Sequence, residues 1–293
     1  MQQSPSDGPP NPRTGPATSE HSPASTRRSF FVASAGALAG VGLVGVGGAS
    51  AAANTTRGQD IAAARGRGDG ATVAQLSSAT SLRVLWRANT VTKVMALTFD
   101  DGPGSRLTAP LLEVLREERV RATFSLVGKR AHQYQDLVRA EMRSGHELAN
   151  HSWSHADLSL LTYDGLKPEL ERTDQLLYEL SGRRPAVIRP PYGRLNGGLL
   201  QYAARADQGI LLWDLRFQES ALDSAGNAAY VLDQMRPGSV LLGHDAGSAN
   251  RYVGTQAVPA IIKEAKQRGY TFLTASEMFE VDQQTVRNRN QTT

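Results

Sequence analysis

From residue 93 onward the chain alternates short, strand-like apolar runs with longer amphipathic stretches. The runs read VMALTF, ATFSLVG, HELAN, AVIRP, GILLWDL, SVLLGHD and YTFLTA. Between them the helical period predicts helices over 108–118, 133–144, 163–180, 198–205, 225–235 and 255–268. Strands and helices alternating at these lengths imply parallel pairing through crossover helices, in either an open doubly wound sheet or a barrel. No glycine-rich phosphate loop opens any of the helices, so a nucleotide-binding doubly wound sheet loses its main support. What recurs instead is a polar cluster at strand ends: Asp100-Asp101, His151 to His155, Arg189 to Gly193, and His244-Asp245. In a parallel α/β barrel the carboxyl ends of all strands share one rim, so these distant residues would converge there.

Composition narrows the chemistry. A chain of 293 residues, 40% of them hydrophobic, can bury one core of about 200 residues. Lys and Arg number 32 against 28 Asp and Glu, but they are scattered as RGRG, REER, GKR and GRR, which leaves no basic face for nucleic acid. Cysteine is absent, so a metal would have to be held by histidine and carboxylate.

Ahead of the periodic region, STRRSFFVASAGALAGVGLVGVGGASAAA pairs Arg27 and Arg28 with a Gly/Ala-rich apolar run and two small-residue cleavage sites. Residues 1–53 are therefore expected to be a twin-arginine signal peptide, which puts the remainder outside the cytoplasm. An uncleaved membrane anchor is the rival, since the run from Ser29 to Ala53 is long enough to span a bilayer. Residues 54–92 carry no sustained period and are expected to form a linker or surface arm. Residues 281–293 are expected to be a polar tail.

Each polar cluster has a structural and a chemical reading. TFDDGP ends a strand, where successive side chains alternate sides, so Asp100 and Asp101 can serve two different centres or simply form a polar turn. NHSWSH sets His151 and His155 four apart, which on a helical turn places both imidazoles on one face within reach of one ion. The third ligand should then be a carboxylate, and Asp100 or Asp101 is the obvious supplier. Two histidines and one carboxylate leave open positions for water and substrate, as in a hydrolytic Zn²⁺ site, though Co²⁺, Ni²⁺ or Fe²⁺ are also accepted by such ligands. VIRPPYG sets Arg189 at a strand end before a rigid turn. The turn could aim a backbone N–H at an oxyanion while the guanidinium grips a carboxylate bidentately. SVLLGHD closes with His244, an imidazole suited to proton transfer near neutral pH.

Taken together, TFDDGP, HSWSH, RPPYG and LLGHD, in that order across about 93–279, resemble the polysaccharide deacetylase family, carbohydrate esterase family 4 with its nodulation-factor deacetylase homology domain. The resemblance implies a deformed, TIM-like parallel (β/α) barrel of seven strands over 93–280. It implies Asp101, His151 and His155 as metal ligands and Asp100 as the general base, held by Arg189. The N–H of Tyr192 would help bind the oxyanion and His244 would act as general acid. Leu242 would line the acetyl-methyl pocket, and Pro191 and Trp213 are expected beside the substrate. The family's Asp-Trp pair is altered in LLWDLRFQES: counting from Trp213 puts Glu219 at the aspartate and Ser220 at the tryptophan, with Asp214 a second candidate to support His244. The expected activity is metal-dependent removal of acetyl groups from N-acetylglucosamine of peptidoglycan or a chitin-like glycan, by a secreted monomer touching the membrane only through its signal or anchor. The alternatives are an O-acetyl xylan esterase and a wall-binding module that has lost turnover.

Overall fold

The computed structural model describes residues 82–291, in which nine strands and eight helices alternate. The expected signal peptide over 1–53 and the first part of the expected arm lie outside these residues. The elements are β1 (Val84–Leu85), β2 (Val94–Gly102), α1 (Thr108–Glu117), β3 (Thr123–Leu126), α2 (Gly128–Gln133), α3 (Gln135–Arg143), β4 (Glu147–Asn150), α4 (Tyr163–Ser181), β5 (Val187–Ile188), α5 (Gly197–Ala206), β6 (Gly209–Leu211), β7 (Leu215–Arg216), α6 (Ser224–Gln234), β8 (Ser239–His244), α7 (Tyr252–Gln267), β9 (Thr271–Phe272) and α8 (Ala275–Gln291). Every strand pair is parallel, in the order β1-β6-β5-β4-β3-β2-β8-β7, with β9 against the start of β2.

That order dictates the curl. β6 lies near one edge and β7 is the opposite edge, yet only Leu212, Trp213 and Asp214 separate them. So short a link spans at most about 14 Å when fully extended, so the two edges must approach each other. The architecture is a deformed parallel (β/α) barrel. GILLWDL, expected as one strand, is split because its first half pairs with β5 and its second with β8 across the seam. The seam also recruits the segment expected to be a surface arm. Val84–Leu85 pair with β6, and Ala88 N–H donates to the Gly238 carbonyl at the foot of β8, 2.9 Å away. Gly238 has φ 85° there, and a Cβ would lie 2.0 Å from the Ala88 oxygen, so only glycine permits this approach.

Strand alternation sorts the side chains. On β2, Met95, Leu97 and Phe99 face the helical layer, whereas Val94 and Ala96 belong to the barrel interior. The interior is filled by small and branched residues, among them Ala149, Val187, Leu211 and Val240. Met278 and Phe279 of α8 pack into the same cluster, so this helix stops the barrel floor. It runs to Gln291, through residues expected as polar tail.

The six expected helices are present as α1 and α3–α7, with ends within three residues of the expected bounds. Their limits follow local chemistry. Thr162, Asn196 and Asp223 cap the amino termini of α4, α5 and α6 by accepting from the N–H of Gly165, Leu199 and Gly226, and Gly182 ends α4 with φ 72°. Among the described residues no helix is long and apolar enough to cross a membrane.

Candidate active site

Continuing the β2 alternation inward, Thr98 and Asp100 follow Ala96 on the interior face. The same phase carries Leu242 and His244 of β8, and Arg189 just beyond β5, toward one rim. There they enclose a cleft of about 490 Å³ lined by Asp100, Asp101, His151, His155, Trp213 and His244, among others. A larger cavity of about 690 Å³ opens by the starts of β3, β4 and β5, lined by His146, Glu147 and Glu277 among others, and among the described residues no three metal-ligating side chains converge there.

Asp101 sits where the register of β2 shifts, with φ 69°, a left-handed conformation that turns its carboxylate toward the two histidines. His151 Nε2 lies 3.3 Å and His155 Nε2 2.9 Å from Asp101 Oδ1. His151 Nδ1 is 2.6 Å from the Arg189 carbonyl, which can only accept, so Nδ1 carries the proton and Nε2 presents a lone pair. Asp101 Oδ1 is buried with no hydrogen-bond donor. Burial by itself would raise the Asp101 pKa, but the close approach of His151 and His155 prevails and holds it far below the usual carboxylate range. Burial likewise disfavours a charged His151, yet Asp100 and Asp101 beside it raise its proton affinity. Both shifts express one demand, a positive charge among three converging electron-pair donors. The donor set fits a divalent cation.

The histidine loop is not the helical turn that the four-residue spacing predicts. Ser152 and His155 take φ 63° and 62°, and these left-handed residues fold an irregular loop that brings the rings to 5.0 Å between centroids. α4 braces it. Glu169 accepts from Ser154 N–H and hydroxyl, both at 2.8 Å, and Arg172 stacks 3.6 Å over Trp153. Asp174 accepts from Asn150 Nδ2, whose Oδ1 accepts in turn from Ser152 N–H.

Asp100 is buried beside this cluster. Arg189, fully buried, donates from Nη1 to Asp100 Oδ1 at 3.0 Å and to Thr98 Oγ1 at 2.6 Å. Its Nη2 and Nε donate to the Leu212 and Leu211 carbonyls. The grip on the carboxylate is thus through one nitrogen, not the bidentate pair expected, because the rest of the fork holds the seam. Tyr192 has φ 63°, its ring stacks edgewise on His155 at 4.9 Å, and its backbone N–H has no acceptor among the described residues. Pro191 is buried in the same turn and does not line the cleft. Trp213 and Leu242 do.

His244 Nδ1 lies 3.1 Å from Glu219 Oε1. Of the two carboxylates considered, Glu219 is therefore the one in contact. Asp214 is spent at the seam, accepting from Val240 N–H at 2.7 Å and the Ser239 hydroxyl at 3.0 Å. Ser220, the residue expected at the family's tryptophan position, lines the cleft, its hydroxyl accepting from Asn250 Nδ2. Asp245 is fully buried behind the rim, its pKa pushed up to about 7 by burial, and accepts from the Thr108 hydroxyl. Its carboxylate lies against Gly102, where a Cβ would fall 2.2 Å from Oδ1, which explains the glycine after the paired aspartates.

Sequence reasoning missed two arginines. Arg251 donates to Asp101 Oδ2 and to the Ala246 carbonyl, so it holds the oxygen that the histidines leave aside. Arg216 of β7 also lines the cleft. Thr98, by contrast, was in phase with Asp100 and could have been found from the alternation.

Comparison with known proteins gives this constellation a context. The family model described as polysaccharide deacetylase matches residues 87–209. A peptidoglycan-N-acetylglucosamine deacetylase of Bacillus cereus is 32% identical over 195 residues, covering 65% of this chain and 70% of that protein. The chain belongs to the polysaccharide deacetylase family. Another relative, the peptidoglycan-N-acetylmuramic acid deacetylase PdaC of Bacillus subtilis, is 32% identical over 199 residues, 66% of this chain but 40% of its own length. Among solved structures, the Bc1960 peptidoglycan N-acetylglucosamine deacetylase superposes with a TM-score of 0.65 at 29% identity, covering 67% of this chain and 92% of that one. Family membership and the barrel therefore agree, and the family match starts inside the segment that closes the seam.

Proposed function

We propose that this polysaccharide deacetylase is a secreted, metal-dependent hydrolase that releases acetate from N-acetylated sugars of peptidoglycan. The observation that carries the reading is the convergence of three groups in one cleft: the Asp101, His151 and His155 cluster, the Asp100–Arg189 pair at 3.0 Å, and the His244–Glu219 pair at 3.1 Å. Its relatives' named activity on peptidoglycan supports the choice of polymer. The paired arginines and small-residue sites of 1–53 support export.

Asp101, His151 and His155 would hold the cation, with Zn²⁺ the first expectation and Co²⁺, Ni²⁺ or Fe²⁺ as substitutes. A divalent ion supplies there the positive charge that acidifies a water and polarises the acetyl carbonyl. Asp100 removes the proton from that water. Arg189 fixes the direction of the Asp100 carboxylate, and Thr98 fixes Arg189. The N–H of Tyr192 donates to the carbonyl oxygen as negative charge builds on it. His244, its Nδ1 committed to Glu219, delivers a proton from Nε2 to the departing nitrogen. An amine leaves poorly without that proton, which accounts for a carboxylate spent on orienting the imidazole. Leu242 and Trp213 offer apolar surface for the acetyl methyl.

The test is an acetate-release assay on protein loaded with Zn²⁺ or Co²⁺, using peptidoglycan, chitooligosaccharides and acetylated xylan. Release from the N-acetylated glycans supports the reading. Release from xylan alone would reassign the enzyme to O-acetyl esters, and no release at full metal occupancy would leave only a wall-binding role.

A further inference from the structure

The charged groups of the cleft are matched with one exception. Asp100 is held by Arg189, Asp101 by Arg251 and the histidines, and Glu219 by His244. Arg216 has neither an ion pair nor a side-chain hydrogen bond to any described residue, and it is exposed on the cleft wall. Its position is set by the sheet. Arg216 stands in register with Leu242, while Leu215 one residue earlier pairs with Leu241 and faces the helical layer. Adjacent strands lie about 4.8 Å apart. Arg216 is thus rooted one strand from the leucine assigned to the acetyl methyl, with a side chain long enough to pass over its edge.

A guanidinium is strongly suited to a carboxylate, which it can bind through two parallel N–H bonds. Once a divalent cation is present, the positive charges of Arg189, Arg216, Arg251 and the ion exceed the charges of Asp100, Asp101 and Glu219. A neutral chitin-like chain would offer Arg216 only hydroxyls and leave this excess uncompensated. An amino sugar bearing a carboxylate-tipped substituent on the carbon next to its acetamido carbon supplies the missing charge beside the reacting group. N-acetylmuramic acid freed of its stem peptide, with the carboxylate of its lactyl ether unamidated, is such a sugar.

We propose that Arg216 is a specificity-determining residue that binds the free lactyl carboxylate of peptide-free N-acetylmuramic acid while the neighbouring acetamido group occupies the reaction centre. The inference rests on the deacetylase reading above. The experiment uses the Zn²⁺-loaded full chain and its Arg216→Gln and Arg216→Lys variants, each checked for Zn²⁺ content and melting temperature. Binding by calorimetry and kcat/KM for acetate release are measured on three glycans: one containing peptide-free N-acetylmuramic acid, the same glycan with that carboxylate amidated, and a chitooligosaccharide. Wild type should prefer the free carboxylate by about ten-fold or more in both measurements. Arg216→Gln should abolish that ratio, and Arg216→Lys should retain part of it. A wild type indifferent to amidation, or a preference that survives Arg216→Gln, overturns the assignment. If no glycan yields acetate, the deacetylase reading fails, and the binding ratio still decides for or against Arg216.

Discussion

At the residue scale, the paired aspartates divide their labour because the backbone turns between them. Asp100 stays on the strand and meets Arg189, whereas Asp101, at φ 69°, swings to the histidines. Asp101→Ala should therefore abolish Zn²⁺ binding and activity together, measured by metal content and acetate release. Asp100→Asn should keep the metal and lower kcat by about 10²–10⁴-fold. A variant Asp101→Ala that retained stoichiometric Zn²⁺ would refute the ligand assignment. Arg251 is the second case. By donating to Asp101 Oδ2 it leaves Oδ1 to the cation, so Arg251→Gln should weaken Zn²⁺ affinity by about 10–100-fold, read by competition with a chelator. The convergence of Asp101, His151 and His155 was legible because metal-binding chemistry is restricted to a few side-chain types at recognisable spacing. Arg251 was not, since nothing local to its sequence says that a loop after β8 returns to β2.

At the element scale, α4 works as a brace. Glu169, Arg172 and Asp174 lie along it, and each contacts the loop that carries His151 and His155 or the Asn150 beneath it. Glu169→Ala should leave the barrel folded while loosening Ser154, so Zn²⁺ affinity should fall about ten-fold with little change in melting temperature. Equal losses of metal affinity and global stability would instead mean that Glu169 supports the core. The helix itself was readable from its period and its Thr162 and Gly182 ends. The loop was misread, since a four-residue histidine spacing also fits an irregular turn when Ser152 and His155 adopt φ 63° and 62°. The short strands beside the seam were equally opaque: two residues, Val84–Leu85, are too few to display any period.

At the scale of the whole molecule, one buried group sets a pH response. Glu141 on α3 is wholly buried, neither of its carboxylate oxygens has a hydrogen-bond partner, and burial raises its pKa well above the usual 4.5. A raised acid holds its proton in the folded state and releases it sooner in the unfolded one. Its effect on stability is thus least below pH 4.5 and grows more unfavourable as pH rises toward its folded pKa. Glu141→Met should raise unfolding free energy at pH 7.5 by about 1–3 kcal/mol and flatten this decline, as followed by denaturant titrations at several pH values. An unchanged pH slope would show that Glu141 finds a partner in solution. The barrel floor gives a second global handle: Phe279→Ala should cost about 3–5 kcal/mol, because its ring fills the space under Gly209.

The seam between β6 and β7 has a consequence for the order in which competence is acquired. Asp101 comes from β2, and His151 and His155 from the loop after β4, strands in one half of the sheet on either side of β3. Arg189 instead leans on the Leu211 and Leu212 carbonyls, and Asp214 ties the same link to β8. A half-formed molecule can thus own its ligands before its ring is shut, but it has no fixed base. Holding a cation and aiming the base therefore rest on different parts of the ring.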